Sequence, residues 1–176
     1  MLKLNLGCGD VQLEGFVNAD VNLVFPQHYY EVSLPTELVI NMDIREELPY
    51  LEDSVDAITI SHVLSGISKV HYPSMFRDFY RILKDGGVIR IADDNHDQTP
   101  ERFHEWNFDN PVFKGSTSPT ITRKYLEEAG FEVYDVGFKE THFKDTSLIQ
   151  VNHNRDNKDM FFHIEGVKNG KSKEQN

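Results

Sequence analysis

LNLGCGDVQLEGFVNAD, residues 4–20, decides the fold. A short run with leucine at 2, 4 and 6 enters two glycines around a cysteine, and a second run, Phe16 to Asp20, ends in aspartate. Glycine tolerates positive φ and lets a backbone approach a ligand closely. An acid closing the next strand can accept hydrogen bonds from both hydroxyls of a ribose. A dinucleotide fingerprint asks for G-x-G-x-x-G opening a helix, with an acid about 20 residues on. Here the third glycine is missing and Asp20 follows Gly9 by 11 residues. Residues 8–15 supply eight residues of connection, where a parallel crossover takes about ten to twelve. No helix of ordinary length fits, so there is no helix N-terminus to cradle a pyrophosphate. The stretch therefore points to a ligand without phosphate, on a loop expected to be mobile when empty.

The rest of the chain repeats the theme of apolar runs ending in small or acidic residues. Leu38 to Met42 precedes Asp43 and Ile44; Val55 to Ile60 precedes Ser61 and His62; Val88 to Ala92 precedes Asp93, Asp94, Asn95 and His96. Leu38 to Met42 is continuously apolar, the pattern of a strand buried on both faces, whereas strands one and five alternate more. Pro73 can open a helix, and Phe76, Phe79, Tyr80 and Leu83 carry its apolar stripe at i, i+3, i+4, i+7. Asp85-Gly86-Gly87 is expected to stop it. Thr122 can cap a second helix that runs to Ala129 and ends at Gly130. Two further strands, 131–138 and 160–167, have no helix between them and are expected to pair antiparallel. The pattern is an α/β fold: a Rossmann-like, doubly wound, mostly parallel sheet with an antiparallel last strand and a reduced first helix. It occupies one domain over residues 1–168, with 169–176 a disordered tail. In such sheets ligands sit beyond the carboxyl ends of the strands.

Composition narrows the partners. Hydrophobic residues make up 39% of the 176-residue chain, enough for a core, yet no 18-residue apolar run marks a membrane span. The N-terminus enters a strand at once, without a charged head and apolar signal region. Cys8 is the only cysteine, so no internal disulfide forms, and a reducing cytoplasm is the expected location. The net charge of −11 lacks the basic footprint of a nucleic-acid binder. A small neutral or cationic partner fits it better.

Five quoted motifs, in this order, carry a family resemblance: LNLGCG at 4–9, GFVNAD at 15–20, NMDIREELPYLEDSVDAI at 41–58, FRDFYRILKDGGVIRIA at 76–92 and YLEEAGF at 125–131. Together the chain resembles class I S-adenosylmethionine-dependent methyltransferases of the methyltransferase type 11 kind. The resemblance implies S-adenosylmethionine as cofactor and S-adenosylhomocysteine as product. It places Leu6, Gly7, Cys8 and Gly9 against the methionine portion and ribose. Asp20 would hold the ribose hydroxyls and Val21 flank the adenine. Asp43 would take the adenine amino group with Ile44 on the ring, and Ser61 and His62 would line the methionine side. The implied reaction is methyl transfer to a small-molecule oxygen or nitrogen acceptor. The alternatives are a non-catalytic cofactor-binding or interaction module, or another reaction on the same cofactor such as aminopropyl transfer. Relatives often continue S-H-V-L-E-H, whereas this chain reads SHVLSGI at 61–67.

Methyl transfer from a sulfonium needs alignment first, and a base only if the acceptor must lose a proton. Asp94 and His96, just after strand five, are the candidate catalytic residues. His104 and Trp106 are the candidate acceptor wall. The open acceptor side leaves room for a homo-oligomeric contact. No metal is expected: His142, His153 and His163, with Asp145 and Asp156, lack the i, i+4 spacing of a helix-borne site.

Overall fold

The computed structural model describes residues 1–9, 11–21, 39–98, 117–151 and 161–170. Seven strands form one sheet: β1 (Lys3–Leu6), β2 (Val17–Asp20), β3 (Val39–Asn41), β4 (Val55–Ser61), β5 (Leu83–Asp94), β6 (Glu132–Asp135) and β7 (Phe161–Val167). Their spatial order is β3-β2-β1-β4-β5-β7-β6. The first five neighbours are parallel, and β7 enters between β5 and β6, antiparallel to both. This is the doubly wound sheet with a reversed last strand that the sequence implies. Among the described residues no helix joins β1 to β2.

Two helices cover one face, α1 (Tyr72–Ile82) and α2 (Pro119–Ala129). Tyr72, Met75, Phe76, Phe79 and Ile82 of α1 and Leu126 of α2 join Leu4, Leu6, Ile58, Ile60, Ile89, Ile91 and Ile164 of the sheet in the main core. Successive strand residues point to opposite faces. The other face therefore receives Ala57, Val88, Arg90 and Glu165, and Phe143 and Leu148 close over part of it. No described helix is long and apolar enough to cross a membrane.

Four expectations change. The continuously buried strand is β4, not β3: Ile40 and Asn41 are exposed because β3 lies at the sheet edge. Strand five is buried from Gly87 to Asp93, and its apparent alternation came from Arg90, a charged residue inside the sheet. Helix α1 ends at Ile82, before the glycines, which lie within β5. Its last carbonyls are taken by partners from far away: Asp53 and Ser54 amides bond Arg81 and Ile82, and Lys168 Nζ bonds Tyr80 and Leu83 at 2.9 and 2.8 Å. Finally, α2 is capped by the Ser118 hydroxyl, which accepts from the Ile121 amide, rather than by the buried Thr122. Gly130 does end it, in the left-handed conformation.

His163, opposite Ala92 on β7, has its imidazole pushed down to about 4 by burial, with the Arg90 charge adding to it. The folded state thus binds this proton less readily than the unfolded chain, whose histidine titrates near 6.5. That contribution to stability is complete above pH 6.5 and is lost as pH falls towards 4. His163→Leu is expected to flatten the change in urea midpoint between pH 6.5 and 4 relative to wild type. Parallel profiles for the two proteins would show that His163 does not govern this limb.

Candidate active site

The parallel strands bring five chain turns to one edge, in the spatial order Asp43, Asp20, Gly7–Gly9, Ser61–His62 and Asp93–Asp94. The loop after β1 is fixed directly to the end of β2. The Gly7 and Cys8 amides donate to the Ala19 carbonyl at 2.8 and 3.1 Å, and the Gly9 amide donates to Asp20 Oδ2 at 2.7 Å. Gly7 and Gly9 have φ of +67° and +50°. At Gly7 a side chain is also excluded by space, because an added Cβ would overlap both methyls of Val63.

Two buried asparagines do what a helix would do behind this loop. Asn5 Nδ2 donates to the Val11 carbonyl at 2.7 Å and to Asn18 Oδ1 at 2.9 Å. Asn18 Oδ1 in turn accepts from the Leu13 amide at 2.9 Å, and its Nδ2 reaches the Leu13 carbonyl at 3.2 Å. The connection's backbone groups are thus satisfied by side chains from β1 and β2. These contacts tie the connection to β1 and β2. Sequence reasoning missed them, although an asparagine in each of two adjacent short strands was a visible signal.

Asp20 is raised in pKa chiefly by burial, opposed by the Gly9 and Val21 amides. Burial and those amide donors hold the carboxylate in place. Asp43 behaves differently. Arg45 Nε donates to its Oδ1 and Oδ2 at 2.8 and 3.0 Å, Arg45 Nη2 also bonds it, and these contacts lower its pKa. Ile44 is buried in the main core. Leu6 is likewise core, Cys8 is buried and Val21 is half-buried.

Ser61 closes β4 opposite Ala92, and His62 follows in the left-handed region at φ +56°, its amide bonded to the Ala92 carbonyl at 2.8 Å. Such a conformation is uncommon for a residue with a side chain and clusters at functional sites. The SHVLSGI segment then makes a 3-10 turn, Leu64–Gly66. Asp93 holds it, accepting from the Leu64 amide at 2.9 Å, while the Tyr72 hydroxyl donates to the Leu64 carbonyl at 2.8 Å. Alternation along β5 separates the roles of two adjacent acids: Asp93 is fully buried, and Asp94 is half-buried, its Oδ1 3.8 Å from His62 Nδ1.

His96 is buried, and its Nδ1 accepts from the Thr117 amide at 2.7 Å while its own amide donates to the Thr117 carbonyl at 3.1 Å. Burial, then Lys69, lowers its pKa. The lone pair a base would use is engaged in joining β5 to the start of α2. His104 and Trp106 lie outside the described residues, as do His153 and Asp156. His142 pairs with Glu165, and Asp145 with Lys3 and Ser147, away from the strand ends.

The sequence matches the methyltransferase domain family over residues 13–136, more than half of the chain. No curated protein matches it. Solved structures share the fold. A S-adenosylmethionine-dependent methyltransferase from Archaeoglobus fulgidus superposes with a TM-score of 0.65 at 16% identity, over 94% of this chain and 85% of that one. The methyltransferase in complex with the Haloferax volcanii Trm112 activator gives 0.61 at 18% identity, over 96% and 83%. Human N-acetylserotonin methyltransferase, solved with S-adenosylmethionine, gives 0.58 at 18% identity, over 96% of this chain and 48% of its own. The chain belongs to the methyltransferase domain family, and its fold is that of the S-adenosylmethionine-dependent enzymes.

Proposed function

We propose that the protein transfers a methyl group from S-adenosylmethionine to an oxygen or nitrogen of a small-molecule acceptor. The observation that carries this reading is the Gly7–Gly9 turn, whose Gly9 amide is bonded to the Asp20 carboxylate at 2.7 Å. Among the described residues nothing lies within 4 Å of a Cβ added at Gly9, and its amide stands beside the Asp20 carboxylate. This is the pairing a ribose needs. The bound cofactor would supply an activated methyl on a sulfonium. The protein's share is alignment: Asp20 fixes the ribose, the loop gives close approach, and Ser61 and His62 line the methionine end. Asp94, half-buried beside His62, is assigned the role of attracting a cationic acceptor or taking a proton from it. His96 acts as a positioning residue, through its bond to Thr117. The net charge of −11 supports a cationic or neutral acceptor.

Calorimetric titration with S-adenosylmethionine and S-adenosylhomocysteine tests the cofactor half. Wild type is expected to bind both, and Asp20→Ala to bind at least about 10-fold more weakly, the loss of one charge-assisted hydrogen-bonding group of about 1.5–3 kcal/mol. Equal affinities would remove Asp20 from the site. A panel of amines, imidazoles and phenols, followed by S-adenosylhomocysteine release, tests the acceptor half.

A further inference from the structure

The ends of β4 and β5 also bring together three side chains, two of which, His62 and Asp94, belong to the methyl-transfer site proposed above. His62, Asp93 and Asp94 each place one ligand atom within 4.8 Å of the other two. They are separated by about 30 residues of sequence, and only the β4–β5 pairing, Ser61 against Ala92, brings them together. That is why a search for helix-borne spacing missed them.

A second observation points to a cation. Asp93 is 0% exposed, yet among the described residues it makes no ion pair within 4.0 Å; backbone amides of Leu64, Asp94 and Ser65 are its donors. Buried carboxylates are ordinarily paired with a positive charge or coordinate a metal.

We propose that His62, Asp93 and Asp94 form a binding site for a divalent first-row transition cation. One imidazole nitrogen and two carboxylates suit manganese, iron(II) or zinc better than calcium or magnesium, which favour oxygen alone. Three protein ligands leave coordination positions open. The site lies beside the cofactor loop, since Val63, next to His62, packs on Gly7. An ion there would hold an acceptor heteroatom near the transferred methyl and lower its proton affinity. The ion site itself stands whether or not the acceptor is the one proposed above.

The test is titration of the full chain with manganese(II), followed by electron paramagnetic resonance and calorimetry at pH 7.5. One ion per chain is expected, with at least about 10-fold weaker binding in Asp94→Asn and in His62→Asn. Asparagine is chosen at 62 because it tolerates the left-handed backbone; thermal melts confirm that both variants fold. Glu128→Gln, on the exposed face of α2, is expected to bind as wild type does. Absence of saturable binding would overturn the proposal, as would binding that survives both substitutions, which would mark scattered surface carboxylates. A His62 imidazole pKa that drops in Asp94→Asn, with no ion bound by wild type, would also overturn it and leave a proton-sharing dyad. Wild type that binds S-adenosylhomocysteine in chelator but not manganese would reject the ion site and leave the methyltransferase reading intact.

Discussion

Arg90→Met is expected to destabilise the fold by about 3–5 kcal/mol, the cost of leaving a buried charge without its partner. Arg90 and Glu165 face each other across β5 and β7, with the guanidinium Nη1 2.9 Å from Glu165 Oε1 and side chains 1% and 0% exposed. The same guanidinium donates to the carbonyls of Glu140, Gly137 and Phe138 at 2.6, 3.2 and 3.0 Å. Glu165 Oε2 accepts from the His142 amide at 2.7 Å. The pair thus fixes the turn after β6 to the back of the sheet. In the single variant Glu165 keeps only the His142 amide and ring as partners, or takes a proton. Arg90→Met with Glu165→Leu removes both charges and is expected to regain most of the loss, because apolar replacements of buried pairs are often neutral. Urea denaturation of the three proteins measures this. A single variant within about 1 kcal/mol of wild type would mean that water reaches the pair.

The second large effect is expected at Gly7. Gly7→Ala combines a left-handed backbone, about 1–2 kcal/mol for a residue with a Cβ, with overpacking of about 1–3 kcal/mol. The added methyl would run into Val63, with one of its methyl carbons at 2.9 Å and the other nearer still. Relief requires the loop after β1 to move away from the segment after β4, the two segments proposed to frame the cofactor. Affinity for S-adenosylhomocysteine is expected to fall about 10- to 100-fold, or about 1.4–2.8 kcal/mol. Adding Val63→Ala is expected to restore only the packing part. Gly9→Ala serves as the comparison, since among the described residues it meets no neighbour within 4 Å, and its φ is +50°. Equal losses at Gly7 and Gly9 would rule out the contact with Val63 as the cause.

The mostly parallel sheet and the row of strand-end residues were legible because they depend on local patterns: apolar runs, glycines, and acids where runs stop. What escaped had long-range causes. The exposure of β3 follows from its place at the edge, which no local pattern encodes. Arg90 reads as a surface residue until Glu165, 75 positions away, is set beside it. The glycines after α1 looked like its stop signal, yet side chains and amides from residues 53, 54 and 168 end the helix earlier. Asp93 and Asp94 are indistinguishable as letters, and only strand alternation assigns one to the interior. The contact between His96 and Thr117 was hidden because the two are joined through a stretch outside the described residues.

The position of β7 has a consequence for how the chain is made. Residues 161–167 fill the seam between β5 and β6, both synthesised earlier. Until that last segment leaves the ribosome, β5 presents an open edge of unpaired backbone groups, which invites pairing with another nascent chain. Lys168 arrives immediately afterwards and ties Asp53 and the end of α1 to the finished sheet, its Nζ 2.6 Å from Asp53 Oδ1. Vectorial synthesis therefore leaves closure of the sheet to one late event, in which a single strand and the lysine behind it convert an exposed seam into a sealed one.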